Sequence, residues 1–137
     1  KAIVKQRNMA DCAVACLAMA TGESYEAIFS SLNTEARESL GLGEGLYWRD
    51  DLELLDLLKF EYESYYPEPG DGWSSTCKRA ILQVPSKNFE NKKHALFWDG
   101  ESILDPSNML TYDTEEGLGA CDFVLKIWMP NERHTRT

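Results

Sequence analysis

Two residues able to share a proton, His94 and Asp105, lie at the outer ends of two apolar runs. The runs are joined by Asp99-Gly100, a dipeptide typical of a two-residue type I′ hairpin turn, in which both central residues need a positive φ. Closing the turn there pairs Trp98 with Glu101 and, four pairs further out, His94 with Asp105. Directly opposed residues have Cβ atoms roughly 4.5–5.5 Å apart, so the carboxylate could orient the imidazole as a catalytic base. The alternative is a surface ion pair, and a different register would remove this pairing.

A histidine oriented by a carboxylate can activate a nucleophile, and the strongest candidate is Cys12. The segment 11–20 is rich in alanine and carries no charge after its first residue, which predicts a buried helix with Asp11 as N-cap and Thr21-Gly22 at its end. Cys12 then occupies the first or second helical position, where unpaired N–H groups and the helix dipole favour the thiolate. Cys16 lies one turn further in and is predicted to be a small core residue. The alternative for Cys12 is the same inert, buried state.

Attack of a thiolate on a carbonyl carbon produces an oxyanion, which needs preorganised hydrogen-bond donors. The backbone N–H of Cys12 could supply one donor, and the side-chain amide of Gln6, on the segment just ahead of the helix, could supply another. The alternative for Gln6 is a solvated side chain with no role in catalysis.

The composition of the 137-residue chain limits the kinds of protein it could be. With 14 basic and 23 acidic residues, a net charge of −9 and no evident basic patch, it is a poor match for proteins that bind nucleic acids or anionic membranes. No apolar run approaches the roughly 20 residues that cross a bilayer, and no signal peptide is visible. The spacing of the four cysteines fits neither a disulfide framework nor a zinc site, so we expect reduced thiols and no metal or other cofactor. Reduced thiols are typical of a reducing compartment, which predicts a cytoplasmic protein.

Hydrophobic periodicity predicts helices in the first half of the chain and strands in the second. The helices are expected at 11–20, 24–32, 33–41 and 46–59, with N-caps at Ser24 and Asn33. The strands are expected at 60–66, at 79–84, in the hairpin around Asp99-Gly100 and at 122–129. The segment 110–119 is predicted to be a polar, acidic loop, and residues from about 130 to 137 a flexible tail. This order indicates an α+β fold and a single domain over 1–137.

Two stretches resemble a known family. The segment 6–19, QRNMADCAVACLAM, is similar to the N-terminal signature of the bacteriocin-processing, double-glycine peptidases, which are papain-like cysteine peptidases often fused to an ABC transporter. The segment 94–107, HALFWDGESILDPS, is similar to their histidine strand followed by Asp-Pro. Ala13 departs from the pattern, because the family has glycine after the cysteine, and His94 follows Asn-Lys-Lys rather than a glycine-bearing approach.

The resemblance implies a papain-like fold, with the cysteine helix packed against an antiparallel sheet, in a stand-alone member without the transporter. It also implies roles for four residues: Cys12 as nucleophile, His94 as general base and acid, Asp105 as the orienting group and Gln6 in the oxyanion hole. The expected function is cleavage of a peptide bond in a peptide or protein substrate through an acyl-enzyme.

Two other functions fit the same residues. A glutamine deamidase or transglutaminase-like enzyme would use the same thiol chemistry on a side-chain amide. A non-catalytic protein-binding module on the same scaffold would instead dock a partner, for example through the aromatic residues that look exposed from the sequence, Tyr65, Tyr66 and Trp73.

Overall fold

The computed structural model describes residues 7, 11–68, 70, 72–85, 93–107, 111, 112, 121–130 and 132. Within these residues the chain forms helices first and strands afterwards, so the predicted α+β class is confirmed. The helices are α1 (Cys12–Thr21), α2 (Tyr25–Ser31), α3 (Thr34–Gly41) and α4 (Trp48–Leu57), and a 3-10 turn follows at Trp73–Ser75. The strands are β1 (Glu61–Tyr65), β2 (Ala80–Pro85), β3 (Lys93–Trp98), β4 (Ile103–Leu104), β5 (Thr111–Tyr112) and β6 (Phe123–Trp128). Most of the predicted tail lies outside the described residues.

The ends of the first three helices follow from local chemistry. Gly22 ends α1 in the left-handed conformation, with φ 79°, which a residue without Cβ adopts at little cost. The side chain of Ser24 accepts the N–H of Ala27, and that of Asn33 accepts the N–H of Ala36, so both predicted N-caps are confirmed.

The six strands form one antiparallel sheet in the order β1-β6-β2-β3-β4-β5. Side chains alternate between the faces of a strand, and both faces of the central strands are buried. One core lies under the helices and includes Val14, Leu17, Ile28, Leu55, Phe97, Leu125 and Ile127. The opposite face carries a second core that includes Trp73, Leu82, Leu96, Trp98, Val124 and Trp128. Because α1 is apolar on all sides, it can be buried at the centre of the first core.

The predicted hairpin forms, but its turn and register are wrong. The structure pairs Phe97 with Leu104 and Trp98 with Ile103, so the loop holds four residues instead of two. The reason lies in the Asp99 carboxylate, which accepts the N–H groups of Glu101 and Ser102 and stabilises a longer turn.

The resulting register differs from the predicted one by two residues. Since a shift by an even number leaves every side chain on its original face, His94 and Asp105 still share a face. They are diagonal rather than direct neighbours, a separation that long side chains can bridge.

Two smaller expectations are also wrong. Part of the predicted loop 110–119 is the short strand β5, which pairs with β4 through Ile103 and Tyr112 and is too short to leave a periodic pattern in the sequence. Trp73 is buried against Trp98 rather than exposed, with ring centroids 5.8 Å apart, whereas Tyr66 is exposed as expected.

None of the helices in the described part of the chain combines the length and hydrophobicity needed to span a bilayer.

Candidate active site

The nucleophile candidate Cys12 is the first residue of α1, as predicted, and is half-buried. The helix packs across β3, and the main-chain N–H of Ala95 in that strand points at the Cys12 sulfur, with N and Sγ 3.4 Å apart. Within the described residues β4 pairs with β3 only at Phe97 and Trp98, so Ala95 lies beyond the end of that ladder. The sulfur therefore sits at a positive helix end and beside an additional N–H donor, and both stabilise negative charge.

The histidine and aspartate candidates are in direct contact. Nε2 of His94 lies 2.7 Å from Oδ1 of Asp105, and the two side chains are 17% and 4% exposed. The same Oδ1 accepts the N–H of Ser107 at 2.9 Å and its hydroxyl at 2.7 Å. Since three donors converge on this carboxylate oxygen, its position is fixed, and it fixes the orientation of the imidazole in turn.

The electrostatics of the pair favour a charged imidazole. Burial lowers the pKa of His94, but hydrogen bonds with Asp105 and Cys12, together with their negative charges, outweigh it and raise the pKa to about 9. Burial raises the pKa of Asp105, but hydrogen bonds from His94 and Ser107 outweigh it and lower the pKa below its usual value. At neutral pH the pair is therefore an imidazolium and a carboxylate.

His94 thus connects the two other candidates. Its Nε2 faces Asp105, which leaves Nδ1 as the ring nitrogen for the hydrogen bond with Cys12. The structure brings together Cys12, His94 and Asp105, from the start of α1, the start of β3 and the segment after β4. An imidazolium held between a thiol and a carboxylate is the arrangement that activates a cysteine nucleophile.

Asp11 occupies the N-cap position, but the prediction that its side chain caps α1 is wrong. Among the described residues it has no side-chain hydrogen bond to the first turn. Its carboxylate oxygens instead accept the N–H of Arg7, at 3.1 and 3.0 Å, and the hydroxyl of Tyr25. The guanidinium of Arg7 lies over the Tyr25 ring, 4.0 Å from its centroid, and pairs with Glu26. This buried carboxylate anchors the chain just ahead of Cys12 to α2.

Gln6, the predicted oxyanion-hole residue, lies outside the described residues, and its role stays a prediction. Two contributors were missed from the sequence. Ser107 had a local signal, because Asp-Pro-Ser is a typical turn in which the aspartate accepts from the residue two positions on. Ala95 had none, because its contribution is a backbone N–H that meets Cys12 only through the packing of α1 on the sheet.

The four cysteines all lie within the described ranges, and no disulfide joins them. The described residues also contain no group of three or more histidine, cysteine, aspartate or glutamate side chains placed to hold a metal ion.

Comparison with known proteins finds no matching family model and no significantly similar curated protein.

Proposed function

We propose that this protein is a papain-like cysteine peptidase, in which Cys12 is the nucleophile, His94 the general base and acid, and Asp105 the orienting carboxylate. The observation that carries the proposal is the 2.7 Å contact between His94 and Asp105, made by a histidine that also hydrogen-bonds with Cys12, the first residue of α1. A surface ion pair would account for such a contact in isolation, but it does not account for the half-buried Cys12 thiol that hydrogen-bonds with the same imidazole.

The reaction follows from the charges of the site. The Cys12 thiolate attacks the carbonyl carbon of an amide, forming a C–S bond and a tetrahedral oxyanion. Collapse of this intermediate breaks the C–N bond, and the leaving amine takes the proton of the His94 imidazolium. A water molecule then attacks the thioester, giving a proton to His94 and releasing the carboxylic acid and the thiolate. The backbone N–H of Cys12 and the side chain of Gln6 are the donors proposed for the oxyanion.

Asp105 contributes by holding the ring rather than by accepting a proton. Its pKa is lowered by His94 and Ser107, so it stays ionised while the imidazole gains and loses a proton. The packing of α1 on an antiparallel sheet also supports the papain-like assignment of the fold. A nucleophilic thiol must stay reduced, which supports a cytoplasmic location.

The test compares two half-buried cysteines of the same chain, Cys12 and Cys121. Wild type, Cys12→Ala, His94→Ala and the matched control Cys121→Ala are each incubated with a mixed pool of peptides, and new termini are identified by mass spectrometry. We expect wild type and Cys121→Ala to cleave equally, and the other two variants to lose at least about 10³-fold in rate. Iodoacetamide should label Cys12 faster than Cys121, and His94→Ala should slow the labelling of Cys12.

The possible outcomes separate the functions that share this site. Equal labelling of Cys12 and Cys121 would contradict an activated thiol. Conversion of glutamine side chains to glutamate without chain cleavage would identify a deamidase, and isopeptide products would identify a transglutaminase-like enzyme. A biological activity that survives Cys12→Ala would identify a binding module.

A further inference from the structure

Asp11, the residue directly before Cys12, is a buried carboxylate that the proposed reaction does not use. Its side chain is completely buried and makes no hydrogen bond to the first turn of α1 among the described residues. A buried carboxylate costs free energy unless hydrogen bonds compensate for it. Its negative charge also repels the thiolate and the oxyanion that the proposed mechanism forms beside it. Neither capping nor charge therefore explains a carboxylate at this position.

The contacts of Asp11 hold one particular peptide group. Both carboxylate oxygens accept the main-chain N–H of Arg7, at 3.1 Å for Oδ1 and 3.0 Å for Oδ2. The hydroxyl of Tyr25 donates to Oδ2, so the carboxylate is itself held from α2. Burial and the hydrogen bond with Asp11 raise the pKa of Tyr25, and its hydroxyl therefore stays a donor at neutral pH.

The side chain of Arg7 holds this segment less firmly than its backbone does. Its guanidinium lies over the Tyr25 ring, 4.0 Å from the centroid, and pairs with Glu26. The side chains of Arg7 and Glu26 are 55% and 66% exposed, and exposed ion pairs contribute little to stability. The buried Asp11 carboxylate is therefore the contact that determines where the backbone at Arg7 lies.

The peptide group that Asp11 holds adjoins Gln6 in the chain. The N–H of Arg7 belongs to the planar peptide group that joins Arg7 to Gln6, so a contact that fixes this group limits where Gln6 can lie. The other proposed oxyanion donor, the N–H of Cys12, belongs to the peptide group that joins Cys12 to Asp11 itself. Asp11 is thus bonded to one donor residue and hydrogen-bonded to the chain neighbour of the other.

Two oxyanion donors act together only when both point at the same oxygen atom, to within about 0.5 Å. We propose that Asp11 is a positioning residue of the oxyanion hole, which sets the distance between Gln6 and the N–H of Cys12. Its carboxylate does so by holding the N–H of Arg7, and Tyr25 holds the carboxylate. This inference rests on the proposed peptidase function. It goes beyond that function by giving Asp11 and Tyr25 a role in stabilising the transition state.

The experiment compares reactions of Cys12 that do and do not form an oxyanion. With iodoacetamide the thiolate displaces iodide and forms a thioether, so labelling needs no oxyanion donor. Cleavage of the peptide that wild type cuts fastest in the mixed pool passes through a tetrahedral oxyanion. The matching peptide aldehyde ends at the residue before the cleaved bond, and the thiolate adds to its carbonyl carbon and leaves the negative charge on oxygen. The labelling rate, kcat, KM and the inhibition constant of the aldehyde are measured for each variant.

Asp11→Asn keeps the size of the side chain but has one oxygen acceptor instead of two and no charge, so it holds the Arg7 N–H less firmly. We expect kcat to fall by about 10- to 100-fold and aldehyde binding to weaken by a similar factor, with KM changed by less than about threefold. Labelling of Cys12 by iodoacetamide should be no slower than about half the wild-type rate, because a repelling charge has been removed. Tyr25→Phe removes only the hydroxyl and should give the same pattern at about three- to tenfold.

Further measurements separate positioning from a general effect on the fold. Gln6→Ala removes the donor that Asp11 is proposed to place, so adding Asp11→Asn to it should slow cleavage by less than about threefold more. Glu26→Gln is the matched control, because Glu26 is the exposed partner of Arg7, and it should cleave like wild type. Cys16 is completely buried and should stay unlabelled in every variant, which reports that the fold is intact.

Three results would overturn the inference: iodoacetamide labelling that Asp11→Asn slows as much as cleavage, losses from Asp11→Asn and Gln6→Ala that multiply in the double variant, or wild-type cleavage by both Asp11→Asn and Tyr25→Phe. Failure of the proposed function is distinguishable, since it would show in wild type itself, as no peptide cleavage and equal labelling of Cys12 and Cys121.

Discussion

The two cysteines of α1 lie one helical turn apart and differ in almost everything that controls thiol chemistry. Cys12 is half-buried at the first helical position, with the Ala95 N–H and the His94 imidazole beside its sulfur. Cys16 is completely buried, and burial, followed by neighbouring negative charges that include Asp51, raises its pKa well above the ordinary value.

The difference shows that reactivity follows position on the helix rather than residue type. The first turn of α1 supplies unpaired N–H groups and lies beside the start of β3, whereas the second turn places Cys16 in the apolar core under the helices, with the Asp51 carboxylate close enough to act on its pKa. The same ten-residue helix therefore contains one cysteine that packs in the core, Cys16, and one that is placed to react, Cys12.

The largest expected difference is in labelling by iodoacetamide. Cys16 can react only after local opening of the core, which costs on the order of 5 kcal/mol, so we expect Cys12 to react at least about 10³-fold faster at pH 7. Quantitative peptide mapping measures both rates in one sample. In concentrated urea the two rates should converge, and a difference that persists there would show that the fold is not its cause.

The next largest expected effect is on the rate of peptide cleavage, and it comes from Asp105, the carboxylate that orients the His94 imidazole. Asp105→Asn keeps the shape of the side chain but removes its charge, so the pKa of His94 falls below about 9 and the ring is less firmly oriented. We expect peptide cleavage to slow by about 10²-fold or more, and the basic limb of the pH–rate profile to move to lower pH. Ser107→Ala leaves the carboxylate in place and should have a much smaller effect. Equal losses in the two variants would contradict an orienting role for the charge.

Local features of this comparison could be predicted from the sequence. The helix around Cys12, its end at Gly22 and the caps at Ser24 and Asn33 depend on neighbouring residues, and each was found where expected. The length of the hairpin turn was harder to predict, because it depends on a hydrogen-bonding side chain within the loop. The Asp99 carboxylate stabilised a longer turn than the Asp-Gly pattern indicates, because it accepts two backbone N–H groups of its own loop.

The contact of the Ala95 N–H with Cys12 had no sequence signal. It joins residues 83 positions apart and depends on how α1 crosses the sheet. The His94–Asp105 contact was predicted from a wrong register, and it survived because the error was an even number of residues. A hairpin register error of one residue would have placed the two side chains on opposite faces.

The charge on His94, next to Cys12, also makes the free energy of unfolding depend on pH. The folded pKa of His94, about 9, is above the unfolded value of about 6.5. Its contribution to stability is therefore fully present below about pH 6.5 and is lost as the pH rises through about 9. We expect His94→Gln to lower the free energy of unfolding by about 1–3 kcal/mol at pH 6, and the gap from wild type to close towards pH 10. Urea denaturation across this range measures it, and a gap independent of pH would contradict the ion pair.

The smallest expected effect is on the free energy of unfolding, and it comes from Asp51, a carboxyl in the core near Cys16. This residue of α4 is 3% exposed, its Oδ1 has no hydrogen-bond partner among the described residues, and burial raises its pKa well above the usual value. Because the folded state then binds a proton that the unfolded chain has released, the wild-type free energy of unfolding should fall as the pH rises above about 4. Asp51→Asn lacks this loss, so it should be more stable than wild type by about 1 kcal/mol at pH 8 and by less at pH 5.

The neighbouring carboxylate provides the matched control for Asp51→Asn. Asp50 is also buried, but its oxygens accept the side-chain amide N–H of Asn33 at 3.2 Å and the backbone N–H of Tyr47 at 3.3 Å. Asp50→Asn should therefore destabilise the protein by about 0.5–1.5 kcal/mol. Opposite signs for the two adjacent substitutions would show that the Asp51 carboxyl, whose Oδ1 has no hydrogen-bond partner among the described residues, weakens the core. Equal destabilisation would instead mean that Asp51 is held by contacts that the Asn amide cannot replace.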